Sequence, residues 1–276
     1  MKLASLMHGR DGRLVVVSQD LTRATDAFPI VPTLQGALDD WDRLAPRLAD
    51  LAISLEHGSV PSFRFHEHDC AAPLPRAYRR LVAGSDNTLI SARSDGALGP
   101  REPVRARDEN AGLLVEAGFA VVTGDVPANV SQTQASAHIR LVMLACSVKL
   151  QNQAATDGRH GADLAPEQAY SFSPVVVTPD EIGPGWHNGR IELPLLRQIN
   201  QQPPQRGDTA GAGDAAGLIA TTAQGHALGA GTILTTIVPL AQDQRLRFGD
   251  TIRIEMKDSA GHSIFGAIEQ EILPSG

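Results

Sequence analysis

From Leu113 onward the chain is a succession of short apolar runs, and this feature narrows the fold more than any other. LLVEAGFAVV (113–122), IRLVMLACSV (139–148), FSPVVVTP (172–179), GRIELPLL (189–196) and GAGTILTTIV (229–238) are rich in β-branched and large apolar residues, which suit a pleated, packed surface. DTIRIEMKD (250–258) alternates strictly. Ile252, Ile254 and Met256 share one face and Arg253, Glu255 and Lys257 the other, the pattern of a half-buried strand. Ser259-Ala260-Gly261 turns it back into SIFGAIEQEI, which predicts a hairpin. Helical patterns are sparse in this region; SQTQASAHIRL and DAAGLIATTAQ are the best candidates. The region from 72 to 276 is therefore expected to be a mostly-β domain.

The first 71 residues read differently. MKLASLMHG and RLVVVSQ are short strands joined through Asp11-Gly12. Leu34, Leu38, Trp41, Leu44, Leu48, Leu51 and Leu55 recur in steps of three and four, which predicts one amphipathic helical stretch, kinked near Pro46 and stopped at Gly58. The stretch CAAPLPRAY (70–78) reads as a linker. The predicted fold class is α+β, mostly β: a small N-terminal α+β domain over 1–71 and a larger β domain over 72–276.

Composition excludes several functions. The chain has 276 residues, 42% hydrophobic and 20% charged, with a net charge of −7 and only 4% aromatic. An acidic chain without a basic stripe is not expected to bind nucleic acid. No apolar run is long enough to span a membrane, and MKLASLMHGRDG lacks the apolar core of a signal peptide. Cys70 and Cys146 make no disulfide framework. The expectation is a cytoplasmic protein with reduced thiols.

One residue is out of place in this pattern. Glu116 sits within LLVEAGFAVV, where an unpaired charge would be costly.

Several stretches together resemble one family. APLPRAY (72–78), GDVP (124–127), IRLVMLA (139–145), FSPVVVTPDEIG (172–183), FGDTIRIEMKD (248–258) and SIFGAIEQ (263–270), with the N-terminal MKLASL and GRDGRLVVVS, are similar to bacterial members of the fumarylacetoacetate hydrolase family. The resemblance runs in order over nearly the whole chain. It implies a folded-over β-roll for the larger domain and a dimeric assembly. It also implies metal-dependent hydrolysis of carbon–carbon bonds in β-diketones, or action on related 2-oxo acids, with Mg²⁺, Mn²⁺ or Ca²⁺ held by carboxylates. Such hard cations take oxygen ligands. Two glutamates spaced E-x-E on a strand share a face, an aspartate on the neighbouring strand joins them, and a histidine serves as base.

The resemblance assigns those roles to residues that cannot fill them. Glu116 takes the first position of E-x-E and Gly118 the second. The family run N-D-V-S-L-R-N falls on Cys146-Ser147-Val148-Lys149-Leu150-Gln151-Asn152, so Ser147 replaces the aspartate and Gln151 the arginine. The family lysine falls on Glu167. The aspartate and catalytic histidine fall on Val82 and Leu89, or with a slip of one on Ala83 and Ile90. Asp86 is the nearby carboxylate, with Arg93 at the histidine's spacing. A substrate-contacting G-S-G-T turn falls on Thr235-Thr236-Ile237-Val238. The segments between Tyr78 and Gly99 and between Val238 and Phe248 are shorter than in the family pattern. Glu116 is thus expected to be the remnant of a metal site, either neutral with a raised pKa or paired with a relocated arginine.

Other constellations have simpler readings. His66, His68 and Cys70 would share a face of an extended segment, and His/Cys suits Zn²⁺, yet no further pair completes a closed set of four. Asp157, His160 and Asp163 lie in a Gly-containing loop, where His160 is a weak candidate for an acid–base role. GDTAGAGDAAG (207–217) lacks the G-K-[ST] of a phosphate loop and reads as the approach to a helix, with Asp214 at its start. His138 and His226 have no partners in the sequence. Cys146, at the end of an apolar strand, is expected to be a small buried hydrophobe, with a nucleophile's role as the weaker alternative.

Three functional expectations follow. The first is a family member that has lost metal-dependent hydrolase activity. It would bind no cofactor, although the family implies Mg²⁺ or Mn²⁺, and would serve as a pseudoenzyme or binding partner. A small 2-oxo acid or diketone is its expected ligand class, and its expected assembly is a homodimer or a hetero-oligomer with an active relative. The second is a metal-independent isomerase, cyclase or decarboxylase using Glu116, Ser147, Cys146, His160 or Glu167. The third is a divergent hydrolase of the family.

Overall fold

The computed structural model describes residues 1–84, 89–150, 167–241 and 245–275. Gln151, Asn152, Asp86, Asp157, His160 and Asp163, singled out in the sequence, lie outside the described residues.

The N-terminal unit opens with three antiparallel strands, β1 (Lys2–Leu6), β2 (Arg13–Val17) and β3 (Arg23–Asp26). The predicted single helix is two: α1 (Leu34–Asp39) and α2 (Trp41–Glu56). The interruption falls at Asp40, which leaves helical geometry (φ −139°, ψ 46°), and Pro46 sits inside α2. Pro46 lacks the amide hydrogen that would bond the Asp42 carbonyl one turn back, yet α2 runs through it, and the break lies six residues earlier. Thr33 caps α1 by accepting a hydrogen bond from the Gly36 amide, as an N-cap threonine should. Leu34, Leu38, Leu44, Leu48 and Leu55 are buried, so the periodicity marks the packed face correctly. β4 (Phe63–Arg64) completes this edge.

The rest of the chain is mostly strand. β5 (Arg79–Ala83) and β6 (Leu89–Ala92) pair antiparallel, followed by β7 (Val104–Ala106). β8 (Leu113–Thr123) and β9 (Ile139–Leu150) pair over eleven residues and flank the short α3 (Gln132–Ala137). FSPVVVTP contains β11 (Val175–Val177) and the last residue of the strand before it, β10 (Glu167–Phe172). Both pair with β9, and Ser173 bridges the gap between them. Its hydroxyl accepts from the Leu144 amide at 3.0 Å and donates to the Val175 carbonyl at 2.9 Å; its neighbour Pro174 has no amide hydrogen to give. β12 (Trp186–His187) and β13 (Arg190–Ile191) make a small ribbon. β14 (Leu195–Ile199), β15 (Gln205–Gly207), α4 (Ala215–Thr222), β16 (Thr232–Ile237), β17 (Thr251–Met256) and β18 (Ile268–Pro274) follow.

These strands form an eleven-stranded sheet, ordered β4-β3-β2-β1-β11-β9-β8-β16-β5-β6 with β10 also on β9, and a five-stranded sheet, β15-β14-β17-β18-β7. The large sheet runs through both parts of the chain, because β1 pairs with β11 (Leu3 opposite Val176). One of its faces, with Val115, Ala117, Phe119, Leu144 and Cys146, packs on Ile254, Met256 and Ile268 of the small sheet. The other, with Ala120, Val122, Leu141 and Met143, packs on the leucines of α1 and α2. Central strands covered on both faces explain why β8 and β9 read as unbroken apolar runs. CAAPLPRAY is not a loose linker, since Ala72, Leu74 and Ala77 are buried in the helical layer. Among the described residues no helix is long and apolar enough to cross a membrane.

Candidate functional site

β8 and β9 place the residues of interest through their register. Glu116 lies opposite Ser147, and Gly118 opposite Ala145. Strand alternation puts Glu116, Gly118, Ser147 and Lys149 on one face and Ala117, Cys146 and Val148 on the other. At this end of the sheet the apolar run gives way to half-exposed positions, and Glu116 is 26% exposed rather than buried.

Its partner is a lysine. Lys149 Nζ lies 2.5 Å from Glu116 Oε2, reached diagonally because Lys149 is opposite Leu114. The contact is charge against charge. Oε2 is shut off from solvent and accepts no well-angled hydrogen bond, so the ammonium is its compensation. The expected relocated arginine is not its partner. Arg197, a buried cation, donates to the Val115 carbonyl at 3.1 Å. Lys149 was missed because only Ser147 and Gln151 of its run carried a role. The signal was present: Ser147 and Lys149 are two apart on a strand and must share a face.

Gly118 has its own structural reason. A Cβ placed there would lie 1.8 Å from the Thr236 carbonyl oxygen and 3.1 Å from Ile237 Cα. β16, paired antiparallel with β8 here, lies so close that no side chain fits. The second carboxylate of an E-x-E pair is therefore excluded by backbone and not merely absent.

Among the described residues, the other expected positions offer little that could ligate. Val82 is opposite both Thr235 and Ile90, so the expected aspartate and histidine positions are part of an apolar hairpin. Ser147 is 8% exposed. Glu167 opens β10 opposite Lys149 in register. Tyr170 is opposite Ser147, and its ring lies 3.9 Å beneath the guanidinium carbon of Arg80, with Phe172 at 5.8 Å. Arg80 is 2% exposed; cation–π contact offsets part of the cost of burying it. Its Nη1 also donates to the Arg93 carbonyl at 3.5 Å.

Cys146 does not join Glu116. It is 3% exposed and packs in the core between the two sheets, on the far side of β9. As expected for the simpler reading, it is a small core residue. His160, the other weak catalytic candidate, lies outside the described residues.

The remaining constellations fall to other roles. Residues 67–69 form a 3-10 turn, so the alternation assumed for His66, His68 and Cys70 is broken. Both histidines are exposed, while Cys70 is buried. Burial, with Glu67 and Asp69 nearby, pushes the Cys70 thiol up to about 12, so it stays protonated at neutral pH. In 207–217 the carboxylates occupy the amide-rich turns. Asp208 accepts from the Ala210 amide at 2.9 Å, and Asp214 from those of Ala216 at 3.0 Å and Gly217 at 3.3 Å, which leaves no vacancy for a phosphate. His226 is exposed beside Arg79, and His138 is half-buried.

A divalent metal does not fit this donor set. One carboxylate, already paired with an ammonium, and one serine hydroxyl are poor ligation for Mg²⁺ or Mn²⁺, which favour carboxylate oxygens. Among the described residues no three His, Cys, Asp or Glu side chains come together.

Comparison with known proteins places the scaffold. Residues 1–76 match the family model for the fumarylacetoacetase N-terminal domain 2, and residues 79–273 that for the fumarylacetoacetate hydrolase C-terminal domain. A search of curated proteins gives no match. Among solved structures, maleylpyruvate hydrolase from Sphingobium sp. SYK-6 superposes with a TM-score of 0.75 at 17% identity, over 100% of both chains; a structure of it in complex with manganese(II) and pyruvate scores the same. A putative HpcE protein from Mycobacterium smegmatis gives 0.77 at 18% identity, again over 100% of both chains. Fumarylacetoacetate hydrolase from Exiguobacterium antarcticum gives 0.70 at 16% over 100% of both chains. At these identities the superpositions speak for the fold, while the matched sequence over nearly all of the chain makes it a member of the fumarylacetoacetate hydrolase family.

Proposed function

We propose that this chain has given up metal-dependent carbon–carbon bond hydrolysis and keeps the family scaffold for binding. Its ligand class is small 2-oxo acids or diketones. Its working form is a homodimer, or a hetero-oligomer with an active relative, in the cytoplasm. The observation that carries this reading is the Glu116–Lys149 ion pair, with Nζ 2.5 Å from Oε2. In the family reading Glu116 belongs to a metal; here an ammonium neutralises it. Ser147 opposite Glu116 and the closed position at Gly118 support the same reading. Hydrolysis in such a site needs a Lewis acid to polarise the substrate oxygens, and an ammonium is a weaker substitute that activates no water.

The test is an acylpyruvate cleavage assay with Mg²⁺ or Mn²⁺ added, run beside Glu116→Gln. The expected result is no metal-stimulated turnover in either protein, with pyruvate or oxalate still raising the thermal midpoint of the unsubstituted protein. Turnover that rises with metal and vanishes in Glu116→Gln would return the chain to the hydrolases.

A further inference from the structure

We infer that Lys149 is the resident cation of this site: a covalently tethered ammonium that neutralises Glu116 and keeps divalent ions out. The inference deepens the metal-free reading just given and rests on it.

Three observations carry it. First, Lys149 Nζ is 2.5 Å from Glu116 Oε2, a direct contact between opposite charges. Oε2 is solvent-shielded and has no other partner among the described residues. An ion arriving at that oxygen would have to displace the ammonium or sit against it, and like charges at contact distance repel strongly. Second, both side chains are held by the long β8–β9 ladder, which runs without a register shift from Leu113 to Val122. Lys149 is thus placed by the sheet, not by a mobile loop. Third, Ser147, directly opposite Glu116 on the same face, carries no charge. Gly118 cannot add a second carboxylate because the Thr236 carbonyl occupies the space.

The inference separates two ways of losing a metal. If the site merely lacked ligands, adding one back would not suffice unless the full set were rebuilt. If an internal cation guards it, removing that cation and supplying one carboxylate at Ser147 should open it. Mg²⁺ and Mn²⁺ can be held by one or two carboxylates with water completing the shell.

The experiment measures Mn²⁺ binding to the full-length protein by electron paramagnetic resonance of free Mn²⁺. The proteins are the unsubstituted chain, Lys149→Met, Ser147→Asp/Lys149→Met, and the latter combined with Glu116→Gln. Ser147→Asp/Lys149→Met should bind Mn²⁺ at least roughly tenfold more tightly than the unsubstituted chain, because a repelling charge is gone and a carboxylate added. Adding Glu116→Gln should abolish the gain. A folded double variant with no gain overturns the inference while leaving the metal-free reading intact. Stoichiometric binding by the unsubstituted protein that Glu116→Gln removes overturns both. Should the double variant not fold, a double-mutant cycle on thermal midpoint decides: Glu116→Gln and Lys149→Met must be non-additive, and additive shifts overturn the pairing.

Discussion

Gly118 and Lys149 show what a single position can and cannot announce. In the sequence Gly118 reads as a lost ligand. In the fold it is the point where β16 presses on β8, with the Thr236 carbonyl 1.8 Å from where a Cβ would be. Gly118→Ala should therefore cost on the order of 3 kcal/mol, the upper range for overpacking, measured as a lowered urea midpoint with unchanged slope. A neutral result would mean that β16 can move aside. This spacing was invisible beforehand because a glycine in a strand does not say what approaches it. Lys149 was legible in principle, from alternation alone, once the β8–β9 register was known. The two thiols make the second prediction at this scale. Cys70 is buried with its thiol pushed up to about 12, and Cys146 is 3% exposed in the core. Since the thiolate is the reactive form, neither should react with Ellman's reagent at neutral pH until the protein is unfolded; rapid labelling of one thiol in the native state would contradict this placement.

Elements were more legible than contacts between them. DTIRIEMKD became β17 with the alternation intact, because one face is buried and the other wet. The long apolar runs became β8 and β9, since both their faces are covered. The errors lie near prolines. Pro174 lies in the gap between β10 and β11, Pro194 separates β13 from β14, and the helix breaks at Asp40 while Pro46 stays inside α2. The wet face of β17 joins a charge chain that no local pattern foretells. Arg101 contacts Glu67 and, at 2.6 Å, Glu269; Arg253 holds Glu269 at 2.5 Å and Glu255 at 2.9 Å; Lys257 adds 3.1 Å to Glu255. Burial pushes the Glu255 and Glu269 carboxyls up, but hydrogen bonds and charge from these cations more than reverse it, so both lie below their ordinary value. A carboxyl depressed in the fold stabilises it above its unfolded pKa and loses that contribution as pH falls through the folded value. Arg101→Met should thus cost about 2 kcal/mol at neutral pH, the scale of charged hydrogen bonds. Its gap to the unsubstituted protein should shrink below about pH 4.3, the ordinary glutamate value, in chemical denaturation at matched ionic strength. A gap that persists unchanged at pH 3 would show that Arg101 acts through packing.

At the scale of the whole molecule, the sequence suggests a small unit followed by a large one, and two family models meet near residue 77. The backbone does not part there. β1 is hydrogen-bonded to β11, with Leu3 opposite Val176 and both fully buried. The helical layer packs on the face of the same sheet that carries Met143 and Ile233. This joining was hidden because β1 and β11 are about 170 residues apart, and sequence separation of that length carries no local signal. A shared sheet and a shared core predict a single cooperative transition. The chain has two tryptophans, one in each part: Trp41 on α2 against the helical layer and Trp186 on β12 against the core between the sheets. Single-tryptophan variants (Trp41→Phe and Trp186→Phe) should unfold at the same urea midpoint once corrected for each substitution's own cost. Leu3→Ala, expected to cost about 2–5 kcal/mol as a large-to-small core change, should lower the midpoint seen by Trp41 and by Trp186 together. If the Trp41 signal alone moved, the β1–β11 junction would be a contact between independently stable units, not part of one folding body.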